Sequence, residues 1–176
     1  TEDQKSRFLP PLISGNDRAC FGVTEPDAGL NTTQLQTRAQ RDGDHYVING
    51  RKMWTTTAQT ANKILLIART KDLEDCVKPT EGLTLFYTDL DRECVEVRLI
   101  EKMGRKAVDS NALFIDNLVV STEDRIGEEG DGWKCLLHGL NPERVLLAAE
   151  AVGLGQVALE RASNYAKERI VFDRSI

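Results

Sequence analysis

Histidine is scarce in these 176 residues and cysteine is scattered. Only His45 and His138 are present, too few beside scattered cysteines to make up a ligand set, so no metal site is expected. Cys20, Cys76, Cys94 and Cys135 form no C-x-x-C pair. That pattern leaves a disulfide open but favours free thiols in a reducing compartment, a bacterial cytoplasm or a mitochondrial matrix. No apolar run approaches the roughly 18 residues of a spanning helix, and no signal-peptide pattern opens the sequence, so no membrane partner is expected. An excess of positive charge is also missing. With 23 basic against 28 acidic residues, nothing favours nucleic acid. No G-x-G-x-x-G follows a strand, which removes a Rossmann mode of dinucleotide binding; "EEGDGW" around Gly130 has glycines at the wrong spacing. Internal repeats and low-complexity segments are absent as well.

What is present falls into two textures. From about Ala19 to Ile126, short β-rich runs alternate with turns: "HYVI", "KILLIART" (63–70), "LTLFYTDL" (83–90), "VEVRLI" (95–100) and "NALFIDNLVV" (111–120). Asn49-Gly50, between "HYVI" and "RKMW", predicts a type I′ hairpin turn, and Asp42-Gly43 offers a similar one just before it. Strands at this spacing argue for an antiparallel β-barrel or orthogonal sandwich. The polar stretch "KDLEDCVKPTEG" between them reads as an exposed loop. After Gly130 the pattern turns helical. "WKCLLHGL" precedes a run from Glu143 to Phe172 that is apolar on more than one face, as only a helix covered by other helices should be. Asn141 and Pro142 allow two readings: an N-cap with proline in the first turn of a new helix, or a kink in one longer helix. The expected fold class is therefore α+β, a β domain over 18–127 followed by the long α-helices of an incomplete helical bundle over 128–176. Residues 1–17 resemble the tail of a preceding helical domain.

Two segments invite chemistry. "CFGVTEPDAGLN" (20–31) has a proline and small residues where a core strand would not, and "KMWTT" (52–56) places an indole beside hydroxyls. Alone, the first reads as a surface turn and Trp54 as core packing. Together they suggest a composite surface, since the expected hairpin lies between them. His45, His138 and the run Glu123-Asp124-Arg125 read as packing or solvated surface.

The Val-Thr-Glu-Pro-x-Ala-Gly run, "DGDHYVINGRKMWTT", "EKMGRKAVDS" and the helix "ERxxxAAxxxGxxxxALxxAxxYAxxRxxF" resemble, in that order, the acyl-CoA dehydrogenases. The resemblance implies a middle β domain between two α domains, FAD as cofactor, and α,β-dehydrogenation of a fatty acyl-CoA thioester in β-oxidation. It further implies an electron-transfer flavoprotein as electron acceptor and a homodimer or homotetramer. It places Phe21, Val23 and Thr24 along the flavin, Trp54 against its ring, and Thr55 and Thr56 near its reactive nitrogen. It sends Arg169 and Phe172 to the FAD of a neighbouring subunit. For the catalytic base the resemblance implies Glu143, as in the isovaleryl and long-chain type, with a glutamate beyond Ile176, as in most of the family, as the alternative. It places Asn141, Arg144 and Leu30 toward the substrate and Met103-Gly104-Arg105 near its channel. The sequence departs from the family twice. Leu30 and then Asn31 follow Ala28-Gly29 where serine is usual, and Asp173 follows Phe172 where glycine is usual. Two further readings stand beside this one: an oxidase or flavin monooxygenase of the same fold, and a non-catalytic ligand-binding β-barrel.

Overall fold

The computed structural model describes residues 1–176, which divide into two units, Thr1–Leu136 and Leu137–Ile176. The first unit opens with helix α1 (Glu2–Ser14). Thr1 and Gln4 close a reciprocal capping box at its start, and Gly15, at φ 79°, ends it in the left-handed conformation. Eight strands follow: β1 (Ala19–Gly22), β2 (Arg38–Asp42), β3 (His45–Thr56), β4 (Lys63–Arg69), β5 (Leu83–Asp89), β6 (Val95–Leu99), β7 (Ser110–Ser121) and β8 (Arg125–Ile126). They run in the order β6-β7-β3-β2-β4-β5-β8, with β1 beside β4. The order has two free ends, so the sheet folds over as a sandwich and no closed barrel forms. Its two layers meet where β2 touches β4 through a single parallel pair, Arg38 and Arg69.

The core lies between the layers and is built from alternate residues: Tyr46 and Ile48 of β3, Ile64, Leu66 and Ala68 of β4, Phe86 of β5, Leu113 and Ile115, then Leu118 and Val120, of β7. Strand β5 is buried at every residue from Leu83 to Thr88. Its outer side is covered as well. Phe8 of α1 meets Tyr87 edge-on at 4.8 Å, and Gly132 sits so close that an added Cβ would lie 2.6 Å from the Leu85 nitrogen. Two-sided burial explains why "LTLFYT" shows no polar alternation.

The hairpin expectation at Asn49-Gly50 is corrected. β3 runs unbroken through both residues, and the hairpin turn is at Gly43-Asp44, flanked by the Asp42–His45 pair with Gly43 at φ 62°. β7 pairs with β3 on both sides of Asn49-Gly50, and its extra residue there forms a bulge at Asn117 (φ 53°). The Asn117 backbone N–H donates to Asn49 Oδ1 at 2.8 Å. Gly50 is glycine for closeness, because a Cβ would come within 2.7 Å of the Thr37 backbone. The polar 70–82 segment is largely exposed but tied down, since buried Arg69 donates to the carbonyls of Pro79 (3.0 Å) and Glu81 (3.1 Å). All four cysteines are unpaired.

Helix α2 (Gly132–Glu168) runs through Pro142 without a break, which removes the reading of Asn141 as the cap of a new helix. Beyond Leu140 nearly all of its apolar residues are exposed, among them Val145, Leu146, Val152, Leu154 and Leu159. The second unit ends in a small hairpin, β9 (Ile170–Val171) and β10 (Arg174–Ser175). Its turn residues, Phe172 and Asp173, are both at positive φ.

Candidate functional site

The two sequence segments meet, by a route other than the expected hairpin. The Met53 backbone N–H donates to the Thr24 carbonyl at 2.8 Å, and Lys52 Nζ donates to the Val23 carbonyl at 3.1 Å and to Glu25 Oε1 at 2.9 Å. Glu25 in turn accepts from the backbone N–H groups of Gln36 (2.7 Å) and Thr37 (3.0 Å). One buried ion pair therefore ties the 23–25 loop, the 36–37 segment and the far half of β3 together. Burial works against the charge on Glu25, but the Lys52 ammonium and the Thr37 and Gln36 hydrogen bonds outweigh it and hold its carboxyl below the usual range. Lys52 is buried more completely. Loss of solvent outweighs its attraction to Glu25 and lowers its pKa to about 8.

The strand reverses its sidedness immediately after Lys52. Tyr46, Ile48 and Lys52 share the inner face, and strict alternation would place residue 54 there too. Instead β3 carries an extra residue between Lys52 and Thr55, a second bulge, with Trp54 at φ 63°. The buried residues become 52 and 55, and Trp54 and Thr56 turn outward together. Trp54 is 55% exposed, a large indole in a conformation that bulky residues avoid. After the bulge, Asn111 Nδ2 donates to the Thr55 carbonyl at 2.9 Å, and Asp109 accepts the Gln59 N–H at 3.0 Å. Arg92 grips the carbonyl of Ala61 at 3.0 Å, closing the turn after Thr56.

The predicted residues therefore separate as follows. Val23, Thr24, Trp54, Thr55 and Thr56 are brought together, with Phe21 half-buried on β1 just upstream of the loop. Thr55 points inward and its hydroxyl has no partner, whereas Thr56 is exposed. Leu30 is fully exposed on the turn beyond the loop, and Met103 is likewise fully exposed. Glu143, Asn141 and Arg144 lie in the second unit, exposed on α2, where Arg144 Nη1 donates to Asn141 Oδ1 at 3.0 Å. Arg169 follows α2, and Phe172 is 91% exposed at the turn of the terminal hairpin with φ 54°. Of the three aromatics that the resemblance assigns to flavin, Trp54 and Phe172 are thus both exposed and both at positive φ, and Phe21 is half-buried.

Sequence reasoning missed Glu25, Lys52 and Asn111. The signal was present, because Lys52 shares the parity of Tyr46 and Ile48 and a lysine on an inner face requires a carboxylate.

The arrangement suits a large planar polar group. An outward indole provides a face, an exposed hydroxyl stands beside it, and the adjoining loop offers backbone groups. A family model described as "Acyl-CoA dehydrogenase, middle domain" matches residues 20–118, and one described as "Acyl-CoA dehydrogenase, C-terminal domain" matches 130–176. The chain is 35% identical, over its whole length, to the short-chain specific acyl-CoA dehydrogenase of Clostridium acetobutylicum, covering 46% of that protein. It is 34% identical to the caffeyl-CoA reductase-Etf complex subunit CarC of Acetobacterium woodii, again over its whole length and 46% of that protein. Among solved structures, butyryl-CoA dehydrogenase from Megasphaera elsdenii superposes with a TM-score of 0.83 at 32% identity, over 99% of this chain and 45% of that one. The chain spans about half the length of the curated relatives it matches.

Proposed function

The chain belongs to the acyl-CoA dehydrogenase family, and we propose that it supplies the flavin-facing middle domain and the first C-terminal helix of an enzyme that dehydrogenates an acyl-CoA thioester with FAD. The observation that carries this reading is Trp54, a tryptophan held outward at positive φ beside exposed Thr56 and the 23–25 loop. Bound at that surface, FAD would supply the two-electron acceptor. The chain's own residues do the rest. The Trp54 indole covers one face of the ring, Thr56 Oγ offers it a hydrogen bond, and backbone groups of Val23 and Thr24 line its edge. Arg169 and Phe172 serve the cofactor of a neighbouring subunit in a dimer or tetramer. Glu143 accepts the α-proton of the thioester at its carboxylate, with Arg144, anchored on Asn141, limiting the movement of that stretch of helix. Electrons leave to an electron-transfer flavoprotein, a partner of the kind named for the Acetobacterium relative.

The test is anaerobic mixing of the purified intact protein with FAD and short acyl-CoA thioesters. The reading requires a bound flavin whose visible absorbance bleaches with substrate. In Glu143→Gln the bleaching rate should fall by about three orders of magnitude, the scale of losing one group of a catalytic unit. A protein that takes up no flavin overturns the reading. Normal bleaching in Glu143→Gln overturns only the assignment of the base.

A further inference from the structure

Trp54 sits in a backbone conformation that a bulky residue adopts only when its surroundings force it. The forcing groups flank it. On one side, Lys52 is wholly buried, with Nζ bonded to the Val23 carbonyl (3.1 Å) and to Glu25 Oε1 (2.9 Å). On the other, Thr55 is buried with its carbonyl held by Asn111 (2.9 Å). Two inward anchors three positions apart in a strand of period two require an extra residue between them, and the extra residue turns the indole outward. Glu25 fixes the first anchor in space, because its second oxygen accepts from Gln36 N (2.7 Å) and its first also accepts from Thr37 N (3.0 Å). We propose that the buried Lys52–Glu25 pair is the positioning device of the flavin surface, setting the β3 bulge and the 23–25 loop in the one register in which Trp54 and Thr56 face the same ring.

The proposal rests on the reading of that surface as a flavin site. It separates position from stability, because a buried ion pair replaced by apolar residues of similar volume often leaves stability unchanged or higher. The experiment uses the intact protein in a background where Trp133 and every tryptophan outside these 176 residues are replaced by Phe, so that Trp54 is the one indole that fluoresces. Glu25→Met/Lys52→Met, Glu25→Gln and the parent are compared for unfolding midpoint, FAD dissociation constant and quenching of Trp54 by FAD. The double variant should unfold near the parental midpoint yet bind FAD at least about tenfold more weakly, as when outer supports of a bound group are removed. Its remaining bound FAD should no longer quench Trp54 fully. Should the double variant fail to fold, Glu25→Gln decides, since it keeps the shape and one acceptor but removes the charge; it should show the same weakening in smaller measure. FAD binding and quenching within twofold of the parent, in whichever of the two variants folds, overturns the positioning role. A parent that binds no FAD overturns the reading of the site instead.

Discussion

Trp54, at φ 63°, stores strain where the proposed chemistry needs a surface. A non-glycine residue in that conformation costs about 1–2 kcal/mol, and the indole recovers part of this through its half-buried face. Trp54→Gly should therefore leave the intact protein as stable as before, or more stable by about 1 kcal/mol, while abolishing flavin-induced fluorescence quenching. A fall in the unfolding midpoint would show that the indole is held by packing rather than presented against strain. Lys52 makes a prediction in pH. Its folded pKa of about 8 lies below the ordinary lysine value, so at higher pH the folded chain has released a proton that the unfolded chain still holds. The unfolded state then binds more protons, and stability attributable to Lys52 rises with pH between about 8 and 10.5, at a slope of at most about 1.4 kcal/mol per unit. Below that window both states are protonated and the contribution is flat. Urea titrations of the intact protein against Lys52→Met should show the difference moving toward the parent across this window and staying constant below it.

Elements here are shaped by where backbones approach. At Gly132, the first residue of α2, a Cβ would lie 2.6 to 2.8 Å from backbone atoms of Thr84 and Leu85, in strand β5, which cannot give way like a side-chain tip. Gly132→Ala should destabilise the intact protein by about 1–3 kcal/mol, the usual range for overpacking a core. An unchanged midpoint would mean that the helix start can slide off β5. Contacts of this kind decide what the sequence could announce. Strands with one solvated face were legible as alternation, and so was the change to helix after Gly130. The barrel half of the barrel-or-sandwich reading was not borne out, because nothing in a strand pattern says whether the two edges meet. Asn49-Gly50 misled for a physical reason. Its turn chemistry is local, but pairing with β7 on both sides and the fit of Gly50 against Thr37 are long-range and override it. Pro142 carried two readings because proline suits a first turn and a kink alike, and only the hydrogen-bonded continuation from Gly132 separates them. At the candidate site the outward residues were readable from motifs. The bulge that aims them was hidden, since it follows from two buried side chains answering partners far along the chain.

At the scale of the molecule the two units differ in what holds them. The first has a core of interleaved aliphatic and aromatic residues between two layers, with α1 docked by Arg7 on Asp124 (3.1 Å) and Gln4 on the Glu123 carbonyl (2.9 Å). The second has none: past Leu136 no residue of α2 is buried, although Val145, Leu146, Leu147, Val152, Leu154, Val157 and Leu159 are apolar. Helices in proteins owe most of their stability to a packed face. This one also contains Gly139, Gly153 and Gly155, each worth about 1 kcal/mol less than alanine, and Pro142, worth about 3 kcal/mol less. In the 176-residue chain by itself, α2 beyond Leu136 should therefore open readily while the β unit stays closed. Hydrogen exchange followed by mass spectrometry should show peptides covering 64–68, 84–88 and 113–120 protected for hours and those covering 143–168 exchanged within seconds, a contrast of the kind separating a core from a freely opening element. The same chain should lose FAD on gel filtration, because the proposed cofactor contacts at Arg169 and Phe172 depend on that helix being held. In the intact protein the peptides of 143–168 should become as protected as the strands. Equal protection of both units in the isolated chain, or stoichiometric flavin retained by it, would show that the helix and its cofactor contacts need no cover beyond what the chain itself provides.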